Sequence, residues 1–268
     1  MIAGATRLVG LIGQPVSDSL SPRMQNAAFA ARGLDWAYVP LPVEDRRFEA
    51  AVAGLVALGF AGANVTAPYK TRVLAFCDQL DEVATRAGSV NTLVVRDGLV
   101  VGSSTDGEVV RALEPRGKRA LVLGAGGAAQ ALATALLDAG VAEISFAARR
   151  PDTAVALASR MRSVAPEAAV SVVETWPPAA TDADLVVNCT PIRDGRPLDP
   201  TARQGLVDLA YRADGRPTAL AAAAEEAGCD PVIDGLEVLA LQGAASFERW
   251  TGVSAPLDVM RAAVRFPG

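Results

Sequence analysis

Ala120-Leu121-Val122-Leu123-Gly124-Ala125-Gly126-Gly127-Ala128-Ala129 decides the fold. An apolar, strand-length run meets a Gly-rich turn, and an Ala/Leu-rich helical stretch follows to about Asp138. The turn fits G-x-G-x-x-[G/A] in the context that pattern requires, between a strand and a helix. Gly124 permits the tight turn, Gly126 lets the backbone approach a pyrophosphate, and Ala129 permits close helix–strand packing. Gly124, Ala125, Gly126, Gly127 and Ala128 are therefore candidates to hold a dinucleotide, with the helix N-terminus offering N–H groups to phosphate. A Gly-rich turn that binds nothing is the competing reading.

Outward from this turn, short β-branched runs alternate with helical ones. Strands are expected at 120–123, 143–147, 170–173, 185–187, 206–208 and 231–233, with helices at 153–163 and 218–227. That succession implies a mostly parallel sheet covered by helices. The first third carries its own αβ rhythm: strands at 8–12, 36–43 and 62–66, and helices at 21–32, with Ser21 as N-cap, and 45–58. Two helical segments are expected at 68–77 and 79–87, and a hairpin at 92–102 turning on Asp97-Gly98. A helix at 107–114 opens the second rhythm, and helices at 236–250 and 257–264 close the chain. The fold class expected is α/β, in two domains. An N-terminal αβ substrate domain with a mostly parallel sheet spans 1–106 and is completed by helices from 236 to 268. A Rossmann-like dinucleotide-binding domain spans 107–235.

Composition narrows the chemistry. The 268 residues contain no histidine, which excludes Ser-His-Asp and Cys-His nucleophile systems, His-ligated metals and imidazole acid–base catalysis. Only two of the 25 basic residues are lysines, Lys70 and Lys118. Arg does not exchange protons near neutral pH, so a Lys in an Arg-biased chain is a candidate proton donor. A net charge of −5 argues against nucleic acid or an anionic membrane surface as partner. Three dispersed cysteines, Cys77, Cys189 and Cys229, without CxxC fit free thiols in the cytoplasm. The opening residues read as a first strand rather than a signal peptide, and no stretch is long and apolar enough for a transmembrane helix.

Cofactor preference is legible about 24 residues past the Gly-rich turn, at Phe146-Ala147-Ala148-Arg149-Arg150. A carboxylate there would bind a ribose 2′-hydroxyl and indicate NAD. Two guanidiniums stand there instead, which suits a 2′-phosphate and hence NADP. A solvated Arg pair is the alternative.

Three N-terminal segments combine polar residues with turn signals. They are Gly13-Gln14-Pro15-Val16-Ser17-Asp18-Ser19-Leu20-Ser21-Pro22, then Asn64-Val65-Thr66-Ala67-Pro68-Tyr69-Lys70, then Gly102-Ser103-Ser104-Thr105-Asp106-Gly107. With Gly88-Ser89-Val90-Asn91-Thr92, the Gly-rich turn, Asn188-Cys189-Thr190, Asp208-Leu209-Ala210-Tyr211, Asp234-Gly235-Leu236 and Gln242, they resemble the shikimate dehydrogenase family in order and spacing along nearly the whole chain. The resemblance implies NADP(H)-dependent interconversion of 3-dehydroshikimate and shikimate, with small molecules as the only ligands and a monomer or homodimer as the working form. It implies Lys70 and Asp106 as the catalytic pair, and Ser19 and Ser21 on the substrate carboxylate. Thr66, Asn91, Tyr211 and Gln242 would stand near the ring. Gly235, Thr190 and Arg149 would touch the cofactor, with Arg150 compensating for a missing basic residue further on. Asp18 and Ser104 depart from the family pattern.

The residues support this chemistry independently. Hydride addition to a ketone leaves an alkoxide that needs a proton, and Lys with a neighbouring carboxylate is the natural donor where histidine is absent. Asp106 could also serve as N-cap of the following helix, and Ser19 and Ser21 as turn residues. A quinate/shikimate or amino-shikimate dehydrogenase shares these features. A catalytically silent NADP-binding sensor would not need the Lys–Asp pair.

Overall fold

The computed structural model describes residues 2–179 and 181–265. The chain divides into two compact units. One holds the residues up to Asp106 together with those from Ala240 onward, and the other runs from Gly107 to Leu239. The four residues 236–239 group with the second unit, although the sequence assigned them to the first with the rest of the C-terminal helices.

The first unit is built on a six-stranded sheet: β1 (Arg7–Gly13), β2 (Trp36–Pro42), β3 (Gly62–Val65), β4 (Gln79–Leu80), β5 (Thr92–Arg96) and β6 (Leu99–Ser103), in the order β2-β1-β3-β5-β6-β4. β1 pairs parallel with β2 and β3, while β3–β5 and β5–β6 are antiparallel. The β5–β6 hairpin turns where the sequence expects it. Asp97 and Gly98 both take positive φ, 51° and 78°, as a two-residue turn matching the strand twist requires. Helices α1 (Ser21–Ala31), α2 (Phe48–Ala57) and α3 (Glu82–Ala87) lie among these strands in the chain. Phe48, Val52 and Leu55 of α2 pack in one apolar cluster with Ile12, Val65, Tyr69 and Leu93.

Local structure departs from the sequence reading at four places. Leu20, not Ser21, is the N-cap of α1, and Ser21 is the first helical residue, followed by Pro22. Segment 68–77 contains only a 3-10 helix, Arg72–Phe76. Residues 79–80, expected to be helical, form edge strand β4, because the Asp81 carboxylate accepts from Ala84 N–H and starts α3 there. The segment after Asp106 is likewise 3-10 over Asp106–Ala112.

The second unit carries a fully parallel six-stranded sheet: β7 (Arg119–Leu123), β8 (Glu143–Ala147), β9 (Ala169–Val172), β10 (Leu185–Asn188), β11 (Gly205–Asp208) and β12 (Val232–Ile233). The order is β12-β11-β10-β7-β8-β9. Strand order reverses between β7 and β10, the switch point where such sheets bind ligands beyond their carboxyl ends. Helices α4 (Gly127–Asp138), α5 (Pro151–Val164) and α6 (Ala219–Ala227) make the crossovers. In strands buried throughout, such as β10 and β11, the stretches Leu185–Val187 and Leu206–Val207 read as apolar runs because both faces are covered.

The last helices are α7 (Gly235–Thr251) and α8 (Leu257–Arg265). Within the first unit, Phe247 of α7 stacks on Phe29 of α1, with ring centroids 5.3 Å apart. Trp250 donates its indole N–H to the Leu93 carbonyl at 2.8 Å. Gly62 permits that contact. A Cβ there would fall onto the Leu93 oxygen and lie 2.6 Å from Trp250 Nε1. Gly62→Ala should therefore lose about 3 kcal/mol of stability from overpacking plus a displaced buried hydrogen bond. Urea unfolding followed by tryptophan fluorescence checks this, and an unchanged midpoint would show that α7 can move aside.

Candidate active site

Lys70 stands on the turn after β3, and its backbone is held on both sides. Tyr69 is buried, donates its phenol to the Val43 carbonyl at 2.6 Å and stacks on Phe48 at 4.2 Å. The Lys70 carbonyl accepts from Val90 N–H at 2.8 Å. With the turn anchored, the Lys70 ammonium donates to Asp106 Oδ2 at 2.6 Å, the two side chains being 16% and 9% exposed. Among the described residues Asp106 is the ammonium's only hydrogen-bond partner, which leaves two of its three donors for a ligand.

The other Asp106 oxygen is also occupied. Asn91 Nδ2 donates to Asp106 Oδ1 at 2.9 Å, and the Gln242 Oε1 of α7 lies 3.4 Å from the same nitrogen. The orientation of the Asn91 amide follows from the backbone, because Thr105 N–H donates to Asn91 Oδ1 at 2.8 Å. A backbone N–H can only donate, so the oxygen must face Thr105 and the nitrogen must face Asp106. Asp106 thus receives a donor on each oxygen.

Ser19, Ser21 and Thr66 lie beyond the carboxyl ends of β1 and β3. Ser19 Oγ accepts from Ser21 N–H at 3.2 Å, at the start of α1, where Leu20 supplies no side-chain cap. Thr66 N–H donates to the Ile12 carbonyl at 2.8 Å. Among the described residues no hydrogen bond joins Ser19 or Ser21 to the Lys70 cluster. Asp18 accepts from Ser17 Oγ at 3.2 Å.

In the second unit, Gly124 takes φ +101° and passes close to β10's continuation: a Cβ there would stand 3.2 Å from the Cys189 carbonyl oxygen. Gly126 is the N-cap of α4, without a side-chain cap, and the space beside its Cα is open. The N–H groups of Gly127, Ala128 and Ala129 at this helix start thus have no side-chain cap. These residues, with Ala125, fit a dinucleotide pyrophosphate. Arg149 and Arg150 follow β8 and are exposed, and neither guanidinium has a hydrogen bond or ion pair among the described residues, so both are available to an anion. Thr190 is fixed through its N–H and hydroxyl, both on Asn188 Oδ1. Tyr211 and Gly235 line one small concavity with Asp234 in the second unit.

Family profiles match the chain in three consecutive blocks. These are a shikimate dehydrogenase substrate-binding domain over 11–93, a shikimate/quinate 5-dehydrogenase domain over 108–194 and a shikimate 5′-dehydrogenase C-terminal domain over 235–265. The shikimate dehydrogenase (NADP(+)) of Rubrobacter xylanophilus is 44% identical, over 100% of this chain and 98% of its own. The chain belongs to the shikimate dehydrogenase family. Among solved structures, a shikimate dehydrogenase in complex with NADP+ superposes with a TM-score of 0.88 at 33% identity, covering 98% of this chain and 96% of that one. The Thermus thermophilus shikimate 5-dehydrogenase in complex with NADP(H) and shikimate gives 0.82 at 32%, covering 97% and 99%.

Two features of this shikimate dehydrogenase family member escaped the sequence reading. One is Ser246, fully buried among Asn64, Thr92 and Thr105; its only signal was its place one helical turn after Gln242. The other is the role of Asp208. This fully buried carboxylate accepts from Asn188 Nδ2 at 2.8 Å, from Ala210 N–H at 3.0 Å and from the Thr218 hydroxyl. It thereby ties together the segment holding Thr190, the one holding Tyr211 and the N-cap of α6.

Burial pushes the Asp208 carboxyl above its ordinary value, outweighing those three donors, and the Asp234 charge adds to the rise. A folded-state value above the unfolded one contributes stability that is full in acid and is lost as pH rises through the folded value. The parent should therefore gain stability relative to Asp208→Asn as pH falls from neutral toward the ordinary carboxylate range. Urea midpoints of both proteins across that range test this, and a pH-independent difference would contradict it.

Proposed function

We propose that this chain reversibly reduces 3-dehydroshikimate to shikimate with NADPH. The observation that carries the reading is the Lys70 ammonium, held at 2.6 Å by a carboxylate that Asn91 also engages, with two donors unused, in a chain built like shikimate dehydrogenases throughout. The Gly124–Ala128 turn would hold the nicotinamide cofactor, which when bound would supply or accept the hydride. Everything else falls to the protein's own side chains. Lys70 donates a proton to the carbonyl oxygen as it becomes an alkoxide, and its positive charge stabilises that oxygen beforehand. Asp106 keeps the ammonium aimed and compensates its charge. In the oxidative direction Lys70 takes the hydroxyl proton back. Gln242, beside the pair, offers its amide to a ring hydroxyl, Asn91 stands next to the ring through its hold on Asp106, and Thr66 stands on the turn that carries Lys70. Ser19 and Ser21, at the uncapped start of α1, suit a substrate carboxylate. Tyr211 joins the substrate contacts. Gly235 and Thr190 flank the dinucleotide, and Arg149 with Arg150 takes the 2′-phosphate.

The same reading assigns small molecules as ligands, a monomer or homodimer as the working form, and the cytoplasm as location. Free Cys77, Cys189 and Cys229 support the location. No helix among the described residues is long and apolar enough to cross a membrane.

NADPH oxidation with 3-dehydroshikimate is the direct test, run beside NADH and beside quinate in the oxidative direction. Removal of a general acid typically costs about 10²- to 10⁴-fold, so Lys70→Ala should lose kcat on that scale with little change in KM. Near-normal turnover in this variant would refute the assigned role. Arg149→Ala should raise KM for NADPH roughly tenfold or more, as loss of a charge-assisted hydrogen bond does, while leaving NADH nearly unaffected. Equal losses would remove Arg149 from the 2′-phosphate.

A further inference from the structure

Behind the Lys70–Asp106 pair lies a buried hydroxyl network whose central member, Thr105, is fully buried and has no role so far beyond its backbone N–H. Asn91 Nδ2 has two hydrogens and three acceptors within reach. They are Thr105 Oγ1 at 2.8 Å, Asp106 Oδ1 at 2.9 Å and Gln242 Oε1 at 3.4 Å. The two short contacts take both hydrogens, and the third acceptor is left with the long one. Thr105 Oγ1 is itself held in place, 3.1 Å from Asn91 Oδ1 and 3.2 Å from Ser246 Oγ. Ser246 accepts from Asn64 Nδ2 at 3.0 Å and donates to the Gln242 carbonyl at 3.0 Å. The hydroxyl of Thr105 is therefore a fixed acceptor, backed by β3 on one side and α7 on the other.

Without that acceptor, one Asn91 hydrogen is buried with nothing to bond except Gln242 Oε1. An unpaired buried donor is unfavourable enough to move the side chain that carries it. Turning the amide toward Gln242 draws its other N–H away from Asp106 Oδ1. The carboxylate then loses the contact that fixes it from the side opposite Lys70.

We propose that Thr105 is a positioning residue for the reaction: its hydroxyl occupies one Asn91 N–H so that the other stays on Asp106, which keeps Asp106 set against Lys70. This deepens the dehydrogenase reading and rests on it. Thr105 touches no reacting atom, so its effect falls on the proton-transfer geometry rather than on substrate affinity. Thr105→Val keeps the side-chain shape and removes the hydroxyl; Thr105→Ser keeps the hydroxyl and removes the methyl.

Steady-state kinetics with 3-dehydroshikimate and NADPH test the proposal on the intact chain, with circular dichroism confirming the fold. A 1 Å misplacement can cost about 10²-fold, so Thr105→Val should lose roughly ten- to a hundredfold in kcat, with KM for 3-dehydroshikimate within about threefold of the parent. Thr105→Ser should recover most of that kcat. Parental turnover in Thr105→Val overturns the proposal. So does an equal loss in Val and Ser, which would indicate packing, or a loss confined to KM. If Thr105→Val does not fold, Thr105→Ala takes its place with the same expectation. An inactive parent would count against the dehydrogenase reading instead. A crystal structure of the Val variant would then still decide the positioning: Asn91 Nδ2 remaining within hydrogen-bond distance of Asp106 Oδ1 overturns it.

Discussion

Asn91 cannot turn its side-chain amide over, because Thr105 N–H occupies the oxygen and a backbone amide has nothing but a hydrogen to offer. From that single orientation the rest of the first unit's site follows. The nitrogen must face Asp106, Asp106 must accept on that side, and its other oxygen is left for Lys70. The β5–β6 hairpin makes this possible. Its antiparallel register sets Thr92 opposite Ser103, so the residues just beyond the open end, Asn91 on one strand and Thr105-Asp106 on the other, arrive together. The hairpin's turn at Asp97-Gly98 is far from the chemistry yet fixes that register, because a slip of one residue would send each side chain to the opposite face.

A different constraint governs the second unit. There the backbone does the work, through a positive φ at Gly124 and an uncapped helix start at Gly126. Such a site needs little side-chain chemistry, but the loops around it must be held. Asp208 does this at a cost, since a buried carboxylate is unfavourable even with three donors around it. The two units thus use buried acids differently. Asp106 accepts from a cation and an amide, whereas Asp208 is surrounded by neutral donors and pushed up by burial.

Much of this was legible beforehand, for identifiable reasons. The Gly-rich turn follows from local sterics, and its strand and helix have the right periods. The hairpin is announced by Asp97-Gly98, and Lys70 by the absence of histidine and the scarcity of lysine. Where reading failed, a local signal was weaker than a partner far along the chain. Segment 79–80 looked helical, but β6 captured it as an edge strand. Ser21 looked like a cap, yet Leu20 holds that position and Met24 N–H bonds to its carbonyl. Ser246 looked like one more small residue on a helix.

By itself the sequence determined the α/β class, the Gly-rich turn and its helix and the hairpin register, and it singled out Lys70 as the candidate proton donor. All of these rest on interactions within a few residues or on residue chemistry that context does not alter. Only the tertiary structure decided that Asn64, Asn91, Thr92, Thr105 and Ser246 share one hydrogen-bond network, with partners as far apart as 182 positions in the chain. It alone decided that Asp208 is the buried knot of the second unit. Hydroxyls and amides can donate or accept, so a polar residue's role is set by the neighbours that claim its hydrogens and lone pairs. Those neighbours exist only once the strands and helices have packed.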